Sequence, residues 1–200
     1  PQSNASSGFG LDKGLIKESM YQVMVDGLSI KEVIFLSALS NIDLAAANID
    51  LAAAEIEMIN LISRETRLRD ALSEVVDYYD YIFIDCPPSL GILTINALTA
   101  ADKILIPVQS EYYALEGLGQ LLKTIKLVQN SLNPNLQIAG ALLTMFDPRT
   151  NLAMEVKSEL QNFLGDRVYT TVIPRNVCLA EAPSFGKIIL QYAPKSRGAS

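Results

Sequence analysis

The sequence contains no histidine and no tryptophan, and only two of its 200 residues are cysteines. The absence of histidine excludes catalytic triads that depend on an imidazole and metal centres that need histidine ligands. Two cysteines, Cys86 and Cys178, are too few for the disulfide framework of a small secreted domain, and they fit a reducing cytoplasmic setting. They also lack the close spacing of a redox or iron–sulfur pair, so we predict that Cys86 is a small core residue.

Charge is scarce and apolar residues are abundant. Charged residues make up 19% of the chain and hydrophobic residues 50%, which is typical of a folded domain with a sizeable core. The net charge is -6, so any nucleic-acid site must be a local basic patch. No apolar run approaches the roughly 20 residues that span a bilayer, and no signal-peptide pattern is present. These features predict one soluble domain over residues 1–200.

Four short apolar runs are nearly continuous rather than alternating, which is typical of strands buried on both faces. Helical stripes with a spacing of three to four residues precede and separate them. This alternation predicts βαβ units in a mostly parallel sheet with helices on both faces. The predicted strands are 81–84, 103–108, 138–145 and 168–173. The stripes are Leu68, Leu72, Val75 and Val76; Leu115, Leu118, Leu121, Leu122, Ile125 and Val128; and Leu152, Val156, Leu160 and Phe163.

A seven-residue tandem repeat occupies residues 41–47 and 48–54. Two copies are too few for a coiled coil. We predict that the first copy forms a short strand and that the second begins a helix continuing through Ile59. No function is assigned to the repeat.

Asp85 directly follows the first predicted strand. A carboxylate at the carboxyl end of a parallel strand lies where open α/β sheets bind their ligands, and in P-loop NTPases it holds Mg²⁺, usually through water. Taken alone, these residues favour an aspartate that caps the next helix, which is predicted to begin near Leu93.

Residues 80–91, which read DYIFIDCPPSLG, resemble the Walker B and switch II phrase of the ParA/Soj partition ATPases. The opening residues 1–4 resemble the end of that family's Asp-Pro-Gln-Gly-Asn switch I phrase. Further family phrases follow along the chain, at 93–98, 107–117, 142–147 and 171–176. The chain is therefore identified as a member of this family over its whole length.

The resemblance implies a P-loop NTPase fold whose first strand, phosphate-binding loop and first helix precede Pro1. It also places the catalytic aspartate just upstream of Pro1, so no catalytic residue is expected within residues 1–200. We therefore expect one ATPase domain that is incomplete at both ends and inactive by itself.

The resemblance also implies roles for individual residues. It implies that Asp85 binds Mg²⁺ through water. It implies that switch I includes Gln2 and Asn4 and that switch II includes Pro87, Pro88 and Ser89. The implied adenine-binding residues are Met145, Phe146, Pro174 and Arg175, the implied dimer contact is Glu111, and the implied DNA-binding residues are Arg149, Arg175 and Lys187. Taken alone, Glu111 fits a solvated carboxylate, Arg149 a solvated turn residue and Pro174-Arg175 a plain turn. The chain departs from the family at Ser3, where the family has glycine, and at Cys178, where it has a basic residue.

The function implied is an ATPase that segregates chromosomes or plasmids, with ATP and Mg²⁺ as cofactors. ATP would join two subunits into a homodimer that binds DNA without sequence preference, and a centromere-binding ParB/Spo0J-like partner would stimulate hydrolysis. The expected location is cytoplasmic and nucleoid-associated, without membrane binding. Three alternatives remain. A MinD-like membrane-associated positioning ATPase would need a basic amphipathic carboxyl-terminal helix, and an electron-transfer relative would need paired cysteines. The third alternative is an inert fragment. The phrase that includes Glu111, Tyr112 and Tyr113 favours partition over the MinD-like alternative.

Overall fold

A computed structural model of the chain describes residues 2–11, 14, 16–37, 39, 41–111 and 114–200. Pro1, Tyr112 and Tyr113, which belong to two of the phrases that carry the resemblance, lie outside the described residues. None of the helices in these ranges is long and apolar enough to cross a bilayer.

The carboxyl-terminal half of the chain is built on a parallel three-stranded sheet. Its strands are β3 (Lys103–Gln109), β4 (Gln137–Phe146) and β5 (Val168–Pro174), in that order across the sheet. Both pairings are parallel. The structure thus confirms three of the four predicted strands and the α/β fold class.

Two long helices connect these strands and flank the sheet. Helix α6 (Ala114–Ser131) joins β3 to β4, and α7 (Asn151–Leu164) joins β4 to β5. The predicted stripe of α6 packs into the main core, but α7 deviates from its prediction, because Leu152 and Phe163 are exposed while Ala153 and Leu164 pack inward. The residues of α7 that face the core are therefore shifted by about one position along the sequence from the predicted stripe.

The segment 81–84 is not a strand. An extended segment becomes a strand only when its backbone pairs with a neighbour, and within the described ranges no strand pairs with it. Tyr81 and Phe83 are 82% and 87% exposed and stack on each other, with ring centroids 6.4 Å apart. The prediction of a strand buried on both faces and ending at Asp85 is therefore wrong for this structure.

The two copies of the repeat adopt different structures. The first copy contributes β2 (Asp43–Ala45), which pairs antiparallel with β1 (Ile34–Leu36). The second copy forms a 3-10 turn at Ile49–Ala52 and leads into helix α3 (Ala54–Glu57). The first outcome confirms the predicted strand, although its hairpin partner β1 was not predicted. The second differs from the predicted continuous helix, because α3 ends at Glu57 and a 3-10 turn at Met58–Asn60 follows it.

A second core lies among the helices of the amino-terminal half. These are α2 (Met20–Val25), α3, α4 (Arg67–Leu72) and α5 (Ile92–Ala100), and Met58 is fully buried among them. The start of α5 agrees with the predicted helix near Leu93. The predicted stripe of α4 ends early, since Val75 is buried but Val76 is exposed.

The ends of the chain meet at a contact between two glycines. Gly10 follows helix α1 (Asn4–Gly8), and Gly186 lies between helix α8 (Val177–Glu181) and the short helix α9 (Ile189–Tyr192). The two glycines touch each other. Gly10 and Gly186 have φ of 77° and 60°, and a Cβ on Gly186 would lie 2.9 Å from the Cα of Gly10. Only glycine fits both positions, because each combines a left-handed backbone with close backbone contact.

Candidate functional site

A basic recess of about 240 Å³ lies beyond the carboxyl ends of β4 and β5. Open α/β sheets bind their ligands beyond this edge. The recess is lined by Phe146, Asp147, Pro148, Arg149, Pro174, Arg175 and Arg197. It therefore contains three of the four predicted adenine-binding residues and two of the three predicted DNA-binding residues.

Arg149 is held at the rim of the recess by Asp147. The guanidinium donates from Nε and from one terminal nitrogen to the two carboxylate oxygens, at 2.9 and 2.7 Å. These bonds, together with the backbone N–H of Arg149, lower the pKa of Asp147 to about 2. The side chain of Arg149 is 87% exposed, so it can still meet a ligand, but its charge is already partly offset.

Arg175 is paired with Glu111 across 64 residues of sequence. Its guanidinium donates to the Glu111 carboxylate at 3.1 Å, and both side chains are about half exposed. This ion pair joins the end of β5 to the loop before α6. A predicted dimer-contact residue and a predicted adenine-binding residue thus touch each other directly.

The end of β4 carries backbone strain. Met145 has φ 53°, which an unbranched side chain tolerates only at some cost in free energy, and such strain is often concentrated at ligand sites. The following residue, Phe146, is buried in the recess wall, and the ammonium of Lys157 lies 5.9 Å from its ring centroid. Met145 itself is absent from the recess lining, so this predicted adenine contact is not placed with the other three.

Asp85 lies in the irregular segment that follows Ile84. Its neighbour Cys86 is exposed, so the prediction that Cys86 is a core residue is wrong. The protein atoms around its sulfur and the carboxylate of Asp85 both raise the pKa of the Cys86 thiol, which keeps it protonated. Among the described residues no group of three possible metal ligands occurs. A single carboxylate nevertheless suits Mg²⁺, which retains water and takes its other ligands from nucleotide phosphates.

The predicted switch II segment contacts helix α3. Ser89 donates its hydroxyl hydrogen to Glu55 at 3.3 Å, and the backbone carbonyl of Ser89 accepts a hydrogen bond from Thr94 at 2.6 Å. These contacts tie the loop after Pro87 and Pro88 to α3 and to α5. Nothing in the sequence patterns pointed to Glu55.

The predicted switch I segment begins helix α1. Asn4 donates its amide to the side chain of Gln2 at 3.1 Å, and Ser3 has φ 57° as the residue before the helix. A position with this φ favours glycine, which agrees with the glycine that the family resemblance implies there. Among the described residues no hydrogen bond or ion pair joins Gln2 or Asn4 to Asp85.

Two of the remaining residues are placed differently from the expectation. Lys187 is exposed and absent from the recess lining. Arg197, in contrast, lines the recess although the sequence patterns did not single it out. No spacing rule marks it, because it enters the site through the packing of a distant segment.

Comparison with known proteins identifies the class and then the family. Residues 1–138 match the model of the AAA domain family. The chain is 56% identical over 199 residues to the sporulation initiation inhibitor protein Soj of Bacillus subtilis, covering 100% of this chain and 79% of that protein. It is 47% identical over 199 residues to the chromosome-partitioning ATPase Soj of Treponema pallidum, covering 100% and 78%. The chain is therefore a P-loop NTPase domain protein that belongs to the ParA/Soj family of chromosome-partitioning ATPases.

The fold is shared with a solved enzyme structure. The crystal structure of cobyrinic acid a,c-diamide synthase from Mycobacterium smegmatis, with bound ATP analog and magnesium, superposes with a TM-score of 0.86 at 34% sequence identity. The match covers 100% of this chain and 74% of that one. The likeness confirms the predicted α/β fold class of the P-loop NTPase type.

Proposed function

We propose that the complete protein is an ATP-dependent switch that partitions DNA. ATP and Mg²⁺ bind at the carboxyl edge of the sheet, two subunits associate, and the dimer binds DNA without sequence preference. A centromere-binding ParB/Spo0J-like partner then stimulates hydrolysis and release. The observation that carries this proposal is the membership of the ParA/Soj family over the whole chain.

The recess supports this proposal because it combines apolar faces with cations. Pro174 and Phe146 offer flat apolar surfaces suited to a purine, and Arg175 can stack on a base or meet a phosphate. Asp85 holds the Mg²⁺ through water, Gln2 and Asn4 belong to switch I, and Pro87, Pro88 and Ser89 belong to switch II. Nucleotide contacts that order such loops are a common way to switch a protein between two states.

The test is ATP hydrolysis by the complete protein with Asp85 replaced. Asp85→Ala should lower Mg²⁺-dependent turnover by about 100-fold or more, because phosphoryl transfer depends on electrostatic stabilisation that the metal supplies. Asp77→Ala is the matched control, since it removes an exposed carboxylate from the preceding 3-10 turn. Turnover by Asp85→Ala at the rate of this control would refute the Walker B role.

The MinD-like alternative can be distinguished from the partition proposal by whether the protein binds DNA or a membrane. The partition proposal predicts ATP-dependent retention of the complete protein on mixed-sequence DNA and no retention on anionic vesicles. Retention on the vesicles alone would favour the membrane-positioning alternative.

A further inference from the structure

The three arginines of the recess differ in the charges that surround them. Arg149 is bound by Asp147, and Arg175 is bound by Glu111. Arg197 is exposed and, in the part of the chain that the structure describes, forms no ion pair or side-chain hydrogen bond. It is therefore the guanidinium of this recess whose charge and donors are available to a ligand.

Arg197 reaches the recess because the segment around it packs on helix α8. Gly198 lies so close to this helix that a Cβ added to it would be 2.7 Å from Cγ of Leu179 and 3.4 Å from the side-chain carbon of Asn176. Gly198 and Leu179 therefore lie in contact, and the residues that precede them in the sequence are Arg197 and Cys178. Position 178 is where the family resemblance expects a basic residue and this chain has cysteine.

We propose that Arg197 binds a phosphate of the DNA backbone and supplies the positive charge that Cys178 does not. This inference rests on the proposed DNA-binding function. It makes Arg197 a phosphate contact in a group with Arg149 and Arg175, in a chain whose net charge is otherwise unfavourable for DNA at -6.

The chemistry of the recess favours a phosphodiester group. A free guanidinium presents a planar set of donors that matches phosphate oxygens, and its charge is retained at every physiological pH. An exposed basic site of this kind also suits one phosphate of a long polyanion, which contributes affinity through counterion release.

The experiment measures DNA binding by the complete protein with saturating ATP, mixed-sequence duplex DNA and a series of salt concentrations. Arg197→Ala should weaken binding several-fold and reduce the slope of log affinity against log salt by about 0.9, the value for one lost phosphate contact. Lys195→Ala is the matched control, because it removes one exposed positive charge from the same segment but outside the recess lining. Arg197→Gln provides the same comparison if the alanine variant folds poorly.

A rescue tests whether Arg197 takes the role of position 178. Adding Cys178→Arg to Arg197→Ala should restore both the affinity and the salt slope. Equal effects of Arg197→Ala and Lys195→Ala on DNA binding would overturn the inference and leave the proposed function intact. An Arg197→Ala variant that loses ATP affinity but keeps DNA affinity would also overturn it, by assigning the residue to the nucleotide. A wild-type protein that hydrolyses ATP but binds no DNA would refute the proposed DNA binding itself.

Discussion

Individual residues decide much of the chemistry at the carboxyl edge of the sheet. Asp147 illustrates this, because the chain alone places it two residues before Arg149 in an ordinary turn. The structure shows that the Arg149 side chain folds back and binds both oxygens of the carboxylate. Asp147 therefore competes with a DNA phosphate for the guanidinium of Arg149, which is a predicted DNA contact.

This pair predicts a pH-dependent contribution to stability. Because the folded-state pKa of Asp147 is depressed to about 2, the pair stabilises the fold above the unfolded-state pKa of about 3.9 and loses this effect as the pH falls through 2. In Arg149→Ala the pKa should rise part of the way towards 3.8, since the backbone N–H at position 149 still donates. Carboxyl-carbon NMR titration measures the shift directly.

The control for this titration is Arg167→Ala, which removes an exposed arginine elsewhere on the surface. It should leave the Asp147 titration unchanged. The difference in free energy of unfolding between the wild type and Arg149→Ala should be present at pH 7 and should disappear as the pH falls through 2. An Asp147 titration that is the same in the wild type and Arg149→Ala would show that the ion pair does not form in solution.

Among the elements, α4 and α5 are joined by one fully buried polar side chain. The Asn96 amide donates to the carbonyls of Arg64 and Ile92 at 2.7 and 2.9 Å, and its oxygen accepts from the backbone N–H of Leu68 at 3.1 Å. The N–H of Leu68 lies in the first turn of α4, where the helix cannot satisfy it internally. Asn96 therefore caps one helix from the interior of another.

Replacing this side chain should destabilise the protein strongly. Asn96→Ala leaves buried backbone groups without partners and opens a cavity, so we expect the free energy of unfolding to fall by about 2–4 kcal/mol. Chemical denaturation of the complete protein measures the loss. The matched control is Asn130→Ala on the exposed surface of α6, which should change stability by less than about 0.5 kcal/mol. Equal stabilities of the two variants would contradict the capping role.

For the whole molecule, the unpaired segment 81–84 is the most consequential feature. Tyr81 and Phe83 are exposed beside each other, and exposed apolar residues on an unpaired extended segment favour self-association. Residues 1–200 also contain no glycine-rich phosphate loop of the GxxxxGK(S/T) type.

We therefore expect residues 1–200, produced alone, to hydrolyse ATP poorly and to aggregate. Light scattering and an ATP turnover assay check the two expectations separately. Replacing Tyr81 and Phe83 together by serine should reduce the scattering, whereas the same change at Leu127, an exposed residue of α6, should not. Saturable ATP binding with turnover by this peptide would refute the first expectation.

The sequence by itself determined the parallel sheet and its two crossover helices. Continuous apolar runs and 3–4 spaced stripes are local patterns, and they predicted β3, β4, β5, α6 and α7, although the buried face of α7 is shifted by about one residue from its predicted stripe. The family phrases likewise identified the ATPase class without any coordinates. The strand of the first copy and the helix α3 were also predictable, since helix-favouring residues such as Glu55 and Glu57 follow the second copy.

Only the tertiary structure decided which residues meet. Whether the run at 81–84 forms a strand depends on a neighbouring backbone, which no local pattern specifies, so its strand prediction and the burial of Cys86 failed together. The recess depends on contacts between distant segments: Glu111 meets Arg175 across 64 residues, and Arg197 enters through the packing of Gly198 on α8. Such contacts follow from how elements pack in three dimensions, and the composition and spacing of a linear chain carry no direct record of them.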